Sequence, residues 1–474
     1  MESKYNRVTP DIVERLKKIV GPKNVIYGDE EKLEPYSHDE VSEKEYSSMP
    51  EVVIKPTSAD EISEIMKLAN KHRIPVTPRG AGSGLSGGAV PIFRGIVLSF
   101  EKMNKILEID TKNLVAVVEP GVITNEINEK LKDYGLFFPG YPMSVESCYI
   151  GGNVAENAGG GRAVKYGVTG RYILGIEVVT PEGDIITLGG KRMKDVVGYD
   201  LVKLMVGSEG TLGIFTKIII KLLPLPTARV ALLVLFEDVE TALRTVPKIM
   251  TNGHIIPTAI EFMSKLAVHN ACKYLNEHLP YEKAGAMLLI ELDGNNKESL
   301  ERDYETIGEL CFENKAIEVY VADNHTTLQR VWKVRQNIPE SFIVISSNQT
   351  SEDIVVPISE IPTFVKKMEI LSEKYKVLIP CYGHAGDGNI HVRVVKKPEM
   401  SLDKWYSILP AIRREIFQIA VDLGGTISGE HGIGHKRKQY INLVLDKKTI
   451  EIMKKIKLAF DPNNILNPGK IFDI

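Results

Sequence analysis

Gly383-His-Ala-Gly-Asp-Gly-Asn-Ile-His391 sets two histidines seven residues apart around a Gly-Asp-Gly-Asn turn. If the flanking strands, 377–382 and 390–395, pair with each other, the turn brings His384 and His391 near enough to share one ion. Glu430 and His431 lie in a second glycine-bounded loop, Gly424-Gly-Thr-Ile-Ser-Gly-Glu-His-Gly-Ile-Gly434, where Glu430 offers a hard third ligand. Two imidazoles, a carboxylate and an open position suit zinc, manganese or ferrous iron without distinguishing among them. His431 and His435 are four apart, but Gly432 and Gly434 argue against the helix of a zinc protease, and the sequence has no His-Glu-x-x-His. Histidines beside glycines also serve simply to satisfy local backbone, so spacing leaves a metal site and a structural role both open.

A different chemistry is written in Pro78-Arg-Gly-Ala-Gly-Ser-Gly-Leu-Ser-Gly-Gly88. Fourteen of the 39 glycines fall in two short stretches, 80–95 and 151–175, more than ordinary turns require. Glycine is needed where φ is positive or where a ligand approaches the main chain too closely for a Cβ. Successive exposed N–H groups in such a loop form a concave anion site, most often for phosphate. Gly82-x-Gly84-x-x-Gly87 formally matches a dinucleotide fingerprint, which requires a helix to start inside the loop. The residues that follow, Ala89-Val-Pro-Ile-Phe-Arg-Gly95 and Ile96-Val-Leu-Ser-Phe100, read instead as a turn and a strand. The loop is therefore read as a phosphate cradle outside the Rossmann topology.

The elements that must position these groups follow from hydrophobic period. Thr9 and Pro10 cap a helix over 9–19; Val52–Ile54 is a strand, Asp60–Lys71 a helix, and 74–76 the strand feeding the first glycine loop. Strands at 97–99, 106–110, 114–118, 173–180, 185–188 and 218–222, with a helix over 124–134, make this half α+β. Two prolines in Leu222-Leu-Pro-Leu-Pro226 mark a boundary, after which glycine thins and strand-helix-strand units suggest a ferredoxin-like cap sheet. The resulting division is 1–50 lead-in, 51–226 first domain, 227–425 cap, and 426–474 a C-terminal segment returning to the first domain.

At 474 residues two or three domains are expected, and 59 basic against 62 acidic residues give no reason to expect nucleic acid or an anionic membrane. Neither an apolar leader core in Met-Glu-Ser-Lys-Tyr-Asn-Arg nor an 18-residue apolar run is found, so a cytoplasmic location is expected. Cys148, Cys272, Cys311 and Cys381 are far apart, which excludes an internal iron–sulfur cluster and suggests reduced thiols.

Taken together, the loop 78–88, Ile150-Gly-Gly-Asn-Val-Ala-Glu-Asn-Ala-Gly159, Lys165-Tyr-Gly-Val-Thr169, Gly207-Ser-Glu-Gly-Thr-Leu-Gly213, Gly383–His391, Ser428-Gly-Glu-His-Gly-Ile-Gly434 and Leu466-Asn-Pro-Gly-Lys470 resemble the FAD-linked oxidase/dehydrogenase family. Its flavin domain is of the vanillyl-alcohol-oxidase, or PCMH, type, and the nearest branch is that of the glycolate oxidase D-subunit and D-lactate dehydrogenase. The resemblance spans about residues 50 to 470 in family order. It implies an α+β fold with a two-part PCMH-type FAD-binding domain and a ferredoxin-like α/β cap (substrate) domain.

It further implies that Pro78, Arg79, Gly80, Ala81, Gly82, Ser83, Gly84, Gly87 and Gly88 hold the FAD pyrophosphate. Pro142, Ser144, Cys148, Gly151, Gly152, Asn153, Ala155 and Gly159, with Glu209, Gly213, Ile214 and Asn467, would line the rest of the cofactor. The pyrophosphate loop holds no histidine or cysteine for covalent attachment, so non-covalent FAD is expected. By the same resemblance His384, His391 and Glu430 would be metal ligands, His431 the base, and Arg335 the fork gripping a substrate carboxylate.

The implied activity is oxidation of a small D-2-hydroxy monocarboxylic acid, D-lactate first and glycolate second. Dicarboxylate-oxidising relatives would carry a lysine near 351 and an asparagine two residues past the second histidine, where this chain has Ser351 and Arg393. Arg393 could itself hold a distal carboxylate. With no cluster in the chain, electrons would leave to an electron-transferring flavoprotein or a separate iron–sulfur subunit. An ether-lipid synthase of the same fold would need a histidine-rich run where Ser428-Gly-Glu-His431 stands.

Overall fold

Capping residues set many of the boundaries. Thr9 accepts from Ile12 N at the start of helix Pro10–Val20, whose Ile12, Val13, Leu16 and Val20 are buried at helical spacing. Ser58 caps helix Ala59–His72 in the same way, and Arg73 ends it in the left-handed region at φ 49°. The computed structural model describes residues 4–41 and 46–474. Residues 1–3, read above for a leader, and 42–45, within the lead-in, lie outside the described residues. The chain forms two units: Met1–Gly159, Val168–Leu225 and Glu430–Ile474 in the first, Gly160–Gly167 and Pro226–Gly429 in the second.

In the first unit a four-stranded sheet runs in the order Val25–Tyr27, Val52–Ile54, Ile96–Ser99, Val76–Arg79. Its first pair is antiparallel and the others are parallel. A five-stranded antiparallel sheet follows the order Ile106–Asp110, Val115–Val118, Ile214–Lys221, Ile173–Val179, Ile185–Gly189. Val179 and Ile214 of this sheet join the buried cluster formed by the four-stranded sheet and the two N-terminal helices. The C-terminal segment returns here, with Leu466 bridging Val76 in parallel.

One strand boundary departs from the sequence expectation, and one helix carried no expectation at all. The strand feeding the glycine loop is Val76–Arg79 rather than 74–76, because Ile74 N donates to Ala69 O (2.9 Å) as part of the helix exit. The second glycine stretch is a helix, Ile150–Glu156, despite glycine's low propensity. Packing overrides it at Gly151, where a Cβ would come 2.6 Å from Pro120 Cβ.

The second unit is one seven-stranded antiparallel sheet: Ala316–Ala322, Ala228–Phe236, Ala286–Gly294, Ala259–Ser264, Cys381–His384, Asn389–Val395, Gln349–Val355. Helices Lys265–Leu275 and His325–Gln336 cover one face, over Leu233, Met263, Leu289 and Tyr382. The fold is the expected α+β class, but the Ala259–Ser264 strand and these two helices were not read from the sequence. All four cysteines are buried and free. Among the described residues no helix is long and apolar enough to cross a membrane.

Candidate functional site

In the first unit, strand Val76–Arg79 delivers the chain into the glycine loop, which lies against the start of helix Ile150–Glu156. A Cβ on Gly80 would be at ordinary contact, 3.7 Å, from Gly152 N, and one on Gly152 would meet nothing within 4 Å. Main chain bare of side chains at Gly152 thus borders open space, which fits a pyrophosphate. Gly84 is similarly open, its nearest neighbour being Asp39 Oδ2 at 3.8 Å from a Cβ. Gly82 and Gly87 take φ of 77° and 73°, and Gly87 N donates to Asp39 Oδ2 (2.8 Å). Ala81 and Ser83 are half-buried between them, with Gly88 buried at the loop's end.

Several residues named with the cofactor turn out to brace this cradle. Arg79 donates to His38 O (2.6 Å) and Pro35 O (2.9 Å), so its guanidinium is committed to the lead-in. Pro78 packs on Gly210, where a Cβ would come 2.8 Å from Pro78 Cγ. Asn153 donates to Thr124 Oγ1 (2.7 Å) and lies 3.4 Å from Cys148 Sγ, fixing the entry to the helix. Pro142 is half-buried and Ser144 exposed in the loop before it. Gly213 packs on Val178 where Ile214 opens its strand, and Ala155 O accepts from Glu209 N (2.8 Å).

Glu209, left-handed at φ 52°, accepts from Ile433 N (2.8 Å) and Gly434 N (2.6 Å) and so holds the loop that carries Glu430 and His431. Asn467 donates to Gly88 O (3.1 Å) and Glu209 O (2.9 Å), tying both loops to the C-terminal segment. Gly159 leaves room for Glu430, whose Oε2 would be 3.0 Å from a Cβ there, and Glu430 Oε1 lies 3.7 Å from His431 Nε2.

Three ionisable groups that the sequence reading passed over gather here. Burial, then the charge of Glu209, pushes the Glu156 carboxyl well above the ordinary range, and its buried Oε2 has no hydrogen-bond partner among the described residues. Burial likewise raises Asp39, against two backbone N–H donors. Burial pulls Lys470 down to about 7, with Asp39 and Glu209 opposing, and its Nζ donates to Val90 O (2.6 Å). An orphaned buried oxygen beside an open glycine cradle suits a bound polar cofactor.

In the second unit, strands Cys381–His384 and Asn389–Val395 pair across the Gly-Asp-Gly turn as expected, with Tyr382 opposite His391 and Gly383 opposite Ile390. The His384 and His391 rings stand 5.1 Å apart, edge to face at 86°. Glu261 Oε1 lies 2.7 Å from His384 Nδ1, and Asp353 Oδ1 lies 3.8 Å from His391 Nδ1. Asp353 also accepts from Asn389 Nδ2 (2.7 Å), Ser428 Oγ (2.9 Å) and Gly429 N (2.8 Å). A carboxylate hydrogen-bonded behind an imidazole, as Glu261 is behind His384, is how proteins fix the tautomer and orientation of a metal-ligating histidine, so this part of the donor set fits a divalent ion.

Arg335, 2% exposed, reaches from helix His325–Gln336 to place Nη2 2.6 Å from Glu261 Oε2. Its Nε is buried without an acceptor among the described residues. Burial alone would raise the Glu261 carboxyl, but Arg335 and then His384 outweigh it and hold it at about 2. Two further carboxylates lie along strand Ala286–Gly294. Glu291 meets Trp332 Nε1 (2.6 Å) and Arg229 (2.7 Å), and Asp293 meets Lys165 (2.5 Å) and Tyr166 Oη (2.9 Å). Lys165-Tyr-Gly thus serves as an anchor within the second unit. Glu261 was missed because an isolated acidic residue inside an apolar run carries no local signal of its partners.

The open cradle suits a phosphate-bearing cofactor. Residues 50–189 match the FAD binding domain, and residues 225–471 match FAD linked oxidases, C-terminal domain. The chain belongs to the FAD-linked oxidase family. It is 43% identical over 470 residues to the glycolate oxidase subunit GlcD of Bacillus subtilis, covering 98% of this chain and 97% of that protein. It is 39% identical over 475 residues to the D-lactate dehydrogenase of Anaerostipes hadrus, covering 99% of each. Among solved structures it resembles substrate-bound p-cresol methylhydroxylase, with a TM-score of 0.80 at 20% identity over 97% of this chain and 96% of that one, a likeness of fold.

Proposed function

We propose that the chain is an FAD-dependent D-2-hydroxy acid dehydrogenase that oxidises D-lactate to pyruvate and passes the electrons to an electron-transferring flavoprotein or a separate iron–sulfur subunit. The observation that carries this reading is the trio in the second unit: two imidazoles with ring centres 5.1 Å apart and a buried guanidinium whose Nε has no acceptor among the described residues. The relatives named glycolate oxidase subunit and D-lactate dehydrogenase support the substrate class.

In this reading the glycine loop and Gly152 receive the FAD pyrophosphate without a covalent bond, and His384, His391 and Glu430 hold a divalent cation, zinc, iron or manganese. Bound FAD accepts a hydride equivalent and a bound cation makes the substrate hydroxyl more acidic. Arg335 fixes the substrate carboxylate through its fork of N–H donors. His431 takes the hydroxyl proton as the C2 hydrogen departs. Glu209 keeps His431 in place through the backbone of its loop.

One observation favours a second reading, a dicarboxylic 2-hydroxy acid. Arg393 lies opposite Ser351 in the strand pair, its Nη1 makes a long bond to Gln349 Oε1 (3.3 Å), and its buried Nε has no acceptor among the described residues. The guanidinium is suited to a distal carboxylate.

Anaerobic addition of a panel of D- and L-hydroxy acids to the flavin-loaded protein tests both. Bleaching fastest with D-lactate, slower with glycolate and absent with L-lactate is the expected result. A lower KM for D-malate or D-2-hydroxyglutarate would move the assignment to the second reading, and no bleaching with any acid would remove the dehydrogenase assignment.

A further inference from the structure

We infer that Glu261 is a positioning residue that sets the ring of His384 and the fork of Arg335 from a single carboxylate. The inference rests on the reading of His384 as a metal ligand and of Arg335 as the substrate-carboxylate clamp. Glu261 sits fully buried on strand Ala259–Ser264, directly opposite His384 in the register with strand Cys381–His384. One oxygen lies 2.7 Å from His384 Nδ1 and the other 2.6 Å from Arg335 Nη2. With each oxygen answering a different cationic or N–H group, the carboxylate cannot rotate without breaking one of the two contacts.

The consequences reach both partners. A proton on His384 Nδ1, donated to Glu261, fixes the tautomer in which Nε2 is the coordinating nitrogen and makes that nitrogen more basic. Arg335 is neutralised in part by Glu261, so its selectivity for a carboxylate comes from the geometry of its N–H fork more than from net charge. The surroundings are shaped to the same end. Gly161 lies over the carboxylate, where a Cβ would come 2.6 Å from Glu261 Oε1 and 3.4 Å from Trp332. Tyr382, on the strand of His384, puts its ring 5.3 Å from the Arg335 guanidinium. The ion site and the carboxylate clamp are therefore coupled through one residue 123 positions from His384 in sequence.

The test compares wild type, Glu261→Gln, Gly161→Ala and His384→Ala, each purified with flavin, by titrating metal-stripped protein with Zn²⁺ and Mn²⁺ and by steady-state kinetics with D-lactate. Glu261→Gln is expected to weaken metal affinity by about 10–100-fold and to raise KM for the hydroxy acid with flavin content near wild type, while the thermal midpoint falls because the buried Arg335 guanidinium loses its ion partner. Gly161→Ala, which crowds the carboxylate without deleting it, is expected to shift both in the same direction by less, and it decides the matter if Glu261→Gln does not fold. Unchanged metal affinity and KM in a folded, flavin-loaded variant, where His384→Ala does lose the ion, would overturn the positioning role alone. Wild type that binds neither cation would overturn the metal reading and this inference with it.

Discussion

The first unit makes its binding surface from main chain, whereas the second makes its from side chains standing on a sheet. Around the glycine loop the ionisable residues mostly face inward as braces. Arg79 holds the lead-in, Glu209 the 433–434 amides, and Asn467 and Lys470 the backbone of residues 88–90. In the second unit the buried carboxylate Glu261 instead backs His384, and Asp353 stands opposite His391 in the register, on strands whose antiparallel ladders leave little freedom. A phosphate is recognised by N–H groups that any sequence can supply if glycine permits the approach. An ion and a carboxylate need particular side chains at particular angles, so their scaffold is the stiffer one.

The contrast can be broken most directly at Gly152. Because a Cβ there meets nothing within 4 Å, Gly152→Leu is expected to fold normally yet purify colourless, with absorbance at the flavin bands lost and near-wild-type circular dichroism. Full flavin occupancy in that variant would show that the cradle is not where the cofactor binds. His431, the proposed base, is the exception that sharpens the comparison, since it stands on a loop of the main-chain unit. His431→Ala is expected to slow flavin reduction by about 10²–10⁴-fold with flavin still bound, and an effect below tenfold would assign the proton to another group.

The braces themselves make a smaller but measurable difference. Lys457, 4% exposed, donates to Asp461 Oδ2 (2.5 Å), Thr211 O (2.8 Å) and Leu466 O (2.8 Å), pinning the returning C-terminal segment. Removing one partner of such a buried pair costs about 3–5 kcal/mol, so Lys457→Met should lower the denaturant midpoint and loosen flavin. A change below about 1 kcal/mol would mean that the segment is held by its apolar contacts alone.

The smallest expected effect is on pH dependence. Burial, followed by Lys438 and Lys470, brings His435 from 6.5 down to about 4, so the unfolded chain takes up this proton first. Its contribution to stability is complete above 6.5 and is lost as the pH falls toward 4. Wild type should therefore lose thermal stability relative to His435→Gln across that window, and parallel profiles would show that His435 takes up its proton equally in the folded and unfolded chains. Glu261, held at about 2, contributes in the same sense but only as the pH falls below its ordinary 4.5.

The cradle and the histidine turn were both legible because their signals are local. Glycines at 80, 82, 84 and 87 announce a backbone that a ligand approaches, and Gly-Asp-Gly-Asn between two histidines announces a hairpin. The helix over 150–156 was not legible, since its glycines argue against a helix and only contact with Pro120 reverses the preference. The resemblance assigns Arg79 to the pyrophosphate, and no local spacing records that its guanidinium donates to carbonyls 41 and 44 residues earlier.

The sequence by itself determined the class of cofactor, the family and the candidate reactive residues, because each motif that carries them is a short run of consecutive positions and the runs occur in family order. Tertiary structure alone decided that Glu261 stands opposite His384 and beneath Arg335, that Glu209 carries the His431 loop, and that Lys165 and Tyr166 anchor on Asp293. The physical reason is strand order. Which residues share a face and a register in a seven-stranded sheet depends on how distant segments add to its edges, and no local spacing records that choice.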